Sequence, residues 1–304
     1  MTRVVVVGDA LIDELRDDNG VREFVGGAAL NVAVGLSRLG VPTTLIAMVG
    51  HDEPGGHIRS YLADYGVELI ETASALGTAR AVSTRSGGGE PEYVFNEAAQ
   101  RRRIRYGDAE RQAMTDASLV VVSCVAFDDR EQSDELAETI AASGADVAID
   151  PNPRAGMMHD KAEFARGFEA LARGSVLVKV GEDDASLLYD ERLDALRARL
   201  IDLGARAVLA TEGAAGATIE AGEVVVTRPI SNLPGPIVDT MGAGDAAFAA
   251  TVAALVERVP ATEEEWGEVL QSAMDMAAAT CRFEGALLRT PAVLEGLDLD
   301  RIGT

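Results

Sequence analysis

Cysteine is scarce in this chain. Only Cys124 and Cys281 occur among 304 residues, both in apolar surroundings and neither in a CxxC or histidine-rich setting. That argues against a disulfide framework or a zinc site and makes the cytoplasm the expected compartment. Long apolar runs are missing too: no window approaches the roughly 18–20 uninterrupted apolar residues that would cross a bilayer. The opening Met1-Thr2-Arg3 and its four valines are too short a run for a signal peptide, and read as a buried strand. Basic residues are outnumbered 27 to 50, giving a net charge of −23. Such a field repels nucleic acid and anionic membranes, so neither is an expected partner. It repels nucleotide as well. A phosphate site would have to be built locally, from backbone N–H groups and a few cations.

What is present is a large stock of core-forming residues, 47% of the chain, enough for one sizeable unit spanning residues 1–304. Short valine- and isoleucine-rich runs recur at Val4–Val7, Thr44–Val49, Leu119–Val125, Val147–Ile149, Val176–Val180 and Val208–Thr211. Continuous runs of this kind suit parallel strands buried on both faces. Helical patterns lie between them, at Leu30–Leu39, Gly55–Tyr65, Arg130–Ser143, Lys161–Arg173 and Leu193–Leu203. The alternation predicts an α/β fold with a doubly wound, mainly parallel sheet flanked by helices.

From about Gly77 to Gln100 this rhythm fails. Two alternating segments flank Gly87-Gly88-Gly89-Glu90-Pro91, which predicts a hairpin. A second pair, Ile12–Glu14 and Arg22–Val25, brackets Asp17-Asp18-Asn19-Gly20. Taken alone, these are either surface hairpins or a small lid, formed by about 12–25 and 77–100, over the strand ends where open α/β sheets bind ligands.

The stretch Asp239-Thr240-Met241-Gly242-Ala243-Gly244-Asp245 leads into the helix-forming run Ala246–Val256. Glycines at a helix start leave N–H groups unpaired and let an anion approach the backbone. Asp245 beside such a site either caps the helix or accepts a proton from a hydroxyl that attacks a phosphate. Gly26-Gly27-Ala28-Ala29-Leu30-Asn31 opens another helix, with Asn31 in its first turn and placed to hydrogen-bond a polyol. Its spacing does not fit GxGxxG, which counts against a nicotinamide-dependent oxidoreductase.

Together the two motifs resemble the hallmarks of the ribokinase-like, or PfkB, carbohydrate kinases: Gly-Gly-x-x-x-Asn-x-Ala near the N-terminus and Asp-Thr-x-Gly-Ala-Gly-Asp near the C-terminus. The likeness runs over essentially the whole chain in the family's order. It implies a sugar kinase using ATP and Mg2+, with a homodimer through the lid. It implies that Asp245 is the base, Gly242, Ala243 and Gly244 form the anion hole, and Arg154 of Asp150-Pro151-Asn152-Pro153-Arg154 steadies the transferring phosphate. Gly8-Asp9-Ala10-Leu11-Ile12-Asp13 resembles the family's first strand, whose terminal Asp binds sugar; that role falls on Asp13, with Gly27 and Asn31. Lys179, Thr211, Gly213 and Gly216 fall in the nucleotide-contacting segments, and Asp184 stands for the family's magnesium-organising Glu, with Gly181 where Asn or Ser is usual. Asp239, Met241 and Gly285 fall where relatives hold K+, although Phe283 replaces a common Arg. The opening and the Asp-Pro-Asn-Pro-Arg stretch look most like bacterial fructokinases. Ketodeoxygluconate kinases are the nearest competitor, nucleoside kinases a weaker one, and a sugar-binding protein without catalysis the alternative of another class.

Overall fold

Four consecutive valines make the first strand because both of its faces are covered. Val4 and Val6 join the apolar cluster on one side of the sheet, Val5 and Val7 the cluster on the other, and all four are wholly buried. The computed structural model describes residues 3–17, 20–84 and 92–294. The strands are β1 (Val4–Gly8), β2 (Leu11–Asp17), β3 (Gly20–Gly26), β4 (Thr43–Gly50), β5 (Glu68–Ser74), β6 (Arg80–Thr84) and β7 (Glu92–Phe95). They continue as β8 (Leu119–Ser123), β9 (Asp146–Asp150), β10 (Leu177–Gly181), β11 (Val208–Thr211), β12 (Ala217–Ala221) and β13 (Val224–Arg228). The helices are α1 (Ala28–Arg38), α2 (Glu53–Asp64), α3 (Glu97–Gln100), α4 (Asp108–Thr115) and α5 (Arg130–Ser143). They end with α6 (Lys161–Ala172), α7 (Glu182–Tyr189), α8 (Leu193–Asp202), α9 (Ala243–Glu257) and α10 (Glu263–Thr280).

The main sheet has nine strands in the order β13-β12-β11-β10-β9-β8-β1-β4-β5. All neighbours from β5 to β11 are parallel; β12 and β13 add an antiparallel edge. The expected doubly wound sheet is therefore present. Residues of α1, α2, α9 and α10 form the core on one face, and residues of α4 to α8 the core on the other. From β1 the chain first builds outward to β4 and β5, then returns to lay β8 on the opposite side of β1. The switch point is thus between β1 and β8, and every parallel strand brings its C-terminal end to one edge.

The two expected hairpins form one separate sheet, ordered β3-β2-β6-β7, in which β2 and β6 pair in parallel. The glycine-rich turn at 87–89 and the turn residues 18 and 19 lie outside the described residues. Val21 on β3 and Val94 on β7 are exposed apolar side chains of this sheet's two outer strands. The elements differ from expectation in one boundary and in several additions. β8 stops at Ser123 rather than Val125 because Cys124 takes a left-handed φ of 53° and turns the chain out of the sheet. β5 and the β12–β13 hairpin went unforeseen, and so did α10, which starts on Thr262 as N-cap: its hydroxyl accepts from Glu265 N–H at 3.2 Å.

Candidate active site

The C-terminal ends of β1, β8, β9, β10 and β11 deliver Asp9, Cys124, Asp150, Gly181 and Thr211 to one edge, and α1 and α9 bring their N-termini to the same place. Gly242 is the N-cap of α9 with φ 74°. A Cβ there would fall 2.6 Å from Ala286 Cα, so the loop before α9 lies directly against the Gly285-Ala286 segment. The helix start leaves first-turn N–H groups without intrahelical acceptors, although Ala243 N–H turns back to Thr240 O at 3.3 Å. Next along, Gly244 is so close to Lys179 that a Cβ would sit 3.4 Å from Nζ. A positive helix end and a lysine ammonium therefore converge on the same few ångströms, a setting for a phosphate.

Asp245 follows, half-buried in the first turn of α9. Asn31, from the first turn of α1, donates its Nδ2 to Asp245 Oδ2 at 2.8 Å across 214 residues of sequence. Burial and the neighbouring Asp150 carboxylate push the Asp245 carboxyl up to about 6, against the Asn31 amide, Lys179 and Arg154. Asp150 is completely buried, 3.1 Å from Lys179 Nζ, and neither of its oxygens has a well-formed hydrogen bond among the described residues. Burial works against charge on Lys179, but Asp150, Asp184 and Asp245 outweigh it and hold the ammonium charged. Asp184 accepts from Gly181 N–H at 2.6 Å, so the residue that departs from the family pattern contributes its backbone instead of a side chain. Burial raises the Asp184 carboxyl, with Lys179 pulling the other way. Arg154 is exposed at the mouth, within electrostatic reach of Asp245, Asp184 and Asp9.

Among the described residues no group of three or more His, Cys, Asp or Glu is arranged to chelate a metal directly. Asp150, ion-paired with Lys179 but without a well-formed hydrogen bond among the described residues, and the buried Asp184 put two carboxyls beside a single lysine. That fits a divalent cation arriving with phosphate and held through water at Asp184.

Asp13 is placed differently from expectation. The chain leaves the main sheet after Gly8, and Asp13 is the third residue of β2, in the small sheet, not the end of the first strand. It still faces the site. Its carboxylate abuts Gly26, where a Cβ would collide with it. Burial and the fields of Asp9, Asp245 and Asp239 raise it to about 7, with Arg154 opposing. Gly27 has φ 108°, and a Cβ there would lie 2.8 Å from Asp9 O. Asp9, which the sequence reading passed over, accepts from Ala29 N–H at 3.0 Å and fixes the start of α1.

The remaining candidates lie further out. Thr211 pairs in register with Gly181, and its hydroxyl donates to Val180 O at 3.4 Å. Gly213 is exposed in the turn that follows, whereas Gly216 is packed against Arg228 and Pro229 and closes the β11–β12 turn. Asp239 accepts from Met241 N–H at 3.1 Å and from Gly285 N–H at 3.2 Å, one bond to each oxygen. It staples the two loops that back the anion site.

Residues 1–292 fit the model of the pfkB family carbohydrate kinases. The chain belongs to that family. A fructokinase of Rhizobium leguminosarum bv. trifolii is 30% identical over 268 residues, 83% of this chain and 79% of the relative. Among solved structures, aminoimidazole riboside kinase from Salmonella enterica, complexed with aminoimidazole riboside and an ATP analog, has a TM-score of 0.79 at 24% identity. That match covers 96% of this chain and 98% of the other. The fructokinase from Xylella fastidiosa with bound ATP gives the same TM-score at 20% identity, covering 96% of each chain. These structural likenesses establish the ribokinase-like fold. This pfkB kinase is accordingly a phosphotransferase with a hydroxyl group as acceptor.

Proposed function

We propose that this pfkB kinase transfers the γ-phosphate of ATP to fructose. The observation that carries the reading is the Asn31–Asp245 hydrogen bond, which joins the acceptor side, at the start of α1, to the phosphate side, at the start of α9. Asn31 engages Oδ2 and leaves Oδ1 to take the proton of the attacking hydroxyl. Asp13 and the Gly26-Gly27 backbone orient the sugar. Lys179, the α9 N-terminus and Arg154 stabilise the charge spread over the transferring phosphoryl group. Magnesium, bound with nucleotide and held through water at Asp184, supplies further neutralisation of phosphate charge. The small sheet acts as the lid. Arg22 on β3 forms an ion pair with Glu284, beside the Gly285-Ala286 segment that supports the anion loop, so lid position and phosphate site are mechanically joined.

Fructose is supported by the 30% identical fructokinase and by Leu11, an apolar residue beside the sugar-facing Asp13. The test is an ATP- and magnesium-dependent screen over D-fructose, D-ribose, D-tagatose, 2-keto-3-deoxygluconate and adenosine. Fructose is expected to lead in kcat/KM by at least about tenfold. A different leader would remove fructose and keep the phosphotransfer chemistry. ATP binding without turnover of any acceptor would sink the reading.

A further inference from the structure

Behind Gly27 lies a cavity that the chemistry above leaves unused. Its walls are built by Asp9 and Leu11, by Cys124 and Met157, and by Arg102 and Gln132. The space open to a water centre is about 20 Å3, room for about one oxygen-sized group. It lies at the switch point between β1 and β8, where open α/β sheets bind ligands. It also shares a wall with the acceptor site. Asp9 and Ala10 back directly on Gly27, and Leu11 projects to the same side of β2 as Asp13.

Three polar side chains in this wall make it a built site. Gln132, in the first turn of α5, is 3% exposed; its Oε1 accepts from Ile104 N–H at 2.6 Å, which fixes the amide orientation. Its Nε2 then has no partner among the described residues. An unpaired buried amide donor is costly, on the order of 1–3 kcal/mol, unless something accepts from it. Arg102 is buried and donates only to backbone oxygens: Cys124 O at 3.2 Å, Val125 O at 3.3 Å, Met157 O at 3.2 Å and Ala99 O at 3.4 Å. All four of those residues line the cavity, and the guanidinium thus holds its walls in one arrangement. Asp9 contributes the single carboxylate, taking Ala29 N–H on one side and the Cys124 thiol on the other.

A free donor on Gln132 and an acceptor on Asp9, both in this lining, suit a group that both accepts and donates. A hydroxyl does both. A carboxylate would meet Asp9 with like charge, and a methyl would leave Gln132 unpaired. We propose that this cavity takes the hydroxyl of a hydroxymethyl branch of the acceptor sugar, distant from the hydroxyl that is phosphorylated, and so selects a ketose over an analogue lacking that hydroxyl. This rests on the sugar-kinase reading, and Gln132 is its specificity-determining residue.

The experiment compares kcat/KM for D-fructose and 1-deoxy-D-fructose in the wild-type enzyme and in Gln132→Glu. That variant keeps the oxygen bonded to Ile104 and removes the donor. Wild type is expected to prefer fructose by at least about 30-fold. In the variant the ratio should fall below about fivefold, mainly through a higher KM for fructose, with the melting temperature checked in parallel. A wild-type ratio below about threefold overturns the inference without any variant. So does a large ratio that survives in Gln132→Glu, since the discrimination then comes from elsewhere. Turnover of neither sugar removes the fructokinase reading and this inference with it, an outcome distinct from both.

Discussion

A carboxylate next to an anion-binding helix start is costly unless it has work to do. Asp245 sits in the first turn of α9 within the field of Lys179, but that lysine is ion-paired with the fully buried Asp150. The consequence is a carboxyl raised to about 6, poised between ionised and protonated near neutral pH. Asp245→Asn preserves shape and removes the proton acceptor. It is expected to lower kcat by at least about 100-fold while leaving ATP and sugar dissociation constants within a few-fold. The wild-type kcat/KM should fall as pH drops through about 6, because the protonated base cannot accept the hydroxyl proton. A variant with near-normal turnover, or a profile flat down to pH 5, would remove Asp245 as the base.

At the scale of elements, the anion site depends on how α9 begins. Gly242 has a left-handed φ, and a Cβ there would lie 2.6 Å from Ala286 Cα. Gly242→Ala therefore meets two obstacles, a backbone conformation that costs about 1–2 kcal/mol for an L-residue and a collision with the supporting loop. Both a lower melting temperature and at least about a tenfold loss of kcat are expected. Gly56→Ala is the control: it lies inside α2 with open space around a new Cβ, so a melting temperature equal to or above wild type is expected. Equal behaviour of the two variants would show that the loop tolerates a shift. The elements themselves were largely legible. Valine runs marked β1, β4, β8, β9, β10 and β11, and the glycine-led starts of α1 and α9 stood out because glycine before a helix former is an interpretable signal. β12 and β13 were not, since half-buried edge strands such as Val224–Arg228 carry a weak pattern. The Asp150–Lys179 pair was hidden for another reason. It becomes visible only once β9 and β10 are known to be parallel neighbours, with Val178 opposite Ile149, which places the next residues side by side. Gln132 and Arg102 carried no signal at all: a glutamine in a helical stretch and an arginine in the run Arg101-Arg102-Arg103 read as surface until the fold buries them.

For the molecule as a whole, the active site is a store of electrostatic strain within a chain of net charge −23. Asp9, Asp13, Asp184 and Asp245 are all raised above the usual carboxylate range, chiefly by burial. Unfolded, each would titrate near 3.9. Between about pH 4 and pH 7 the folded protein therefore holds more protons than the unfolded chain, and stability falls as pH rises through that window. The opposite case is set by Asp52 and Glu14, whose carboxyls are held low against burial by hydrogen bonds from Thr78 and from Arg16 and Arg80; their contribution disappears as pH drops below about 4. The ligand-free enzyme should thus melt highest near pH 5 and lose several degrees by pH 8. Asp13 is the cleanest probe, because its carboxyl is raised to about 7. At pH 5 the folded protein already carries Asp13 protonated, so Asp13→Asn should leave the melting temperature nearly unchanged. At pH 8 the same substitution removes a charge held in the field of Asp9 and Asp245, and the melting temperature should rise by a few degrees while kinase turnover falls. A variant that melts at or below wild type at pH 8 would show that Asp13 is compensated in the folded protein and that the site holds no such strain.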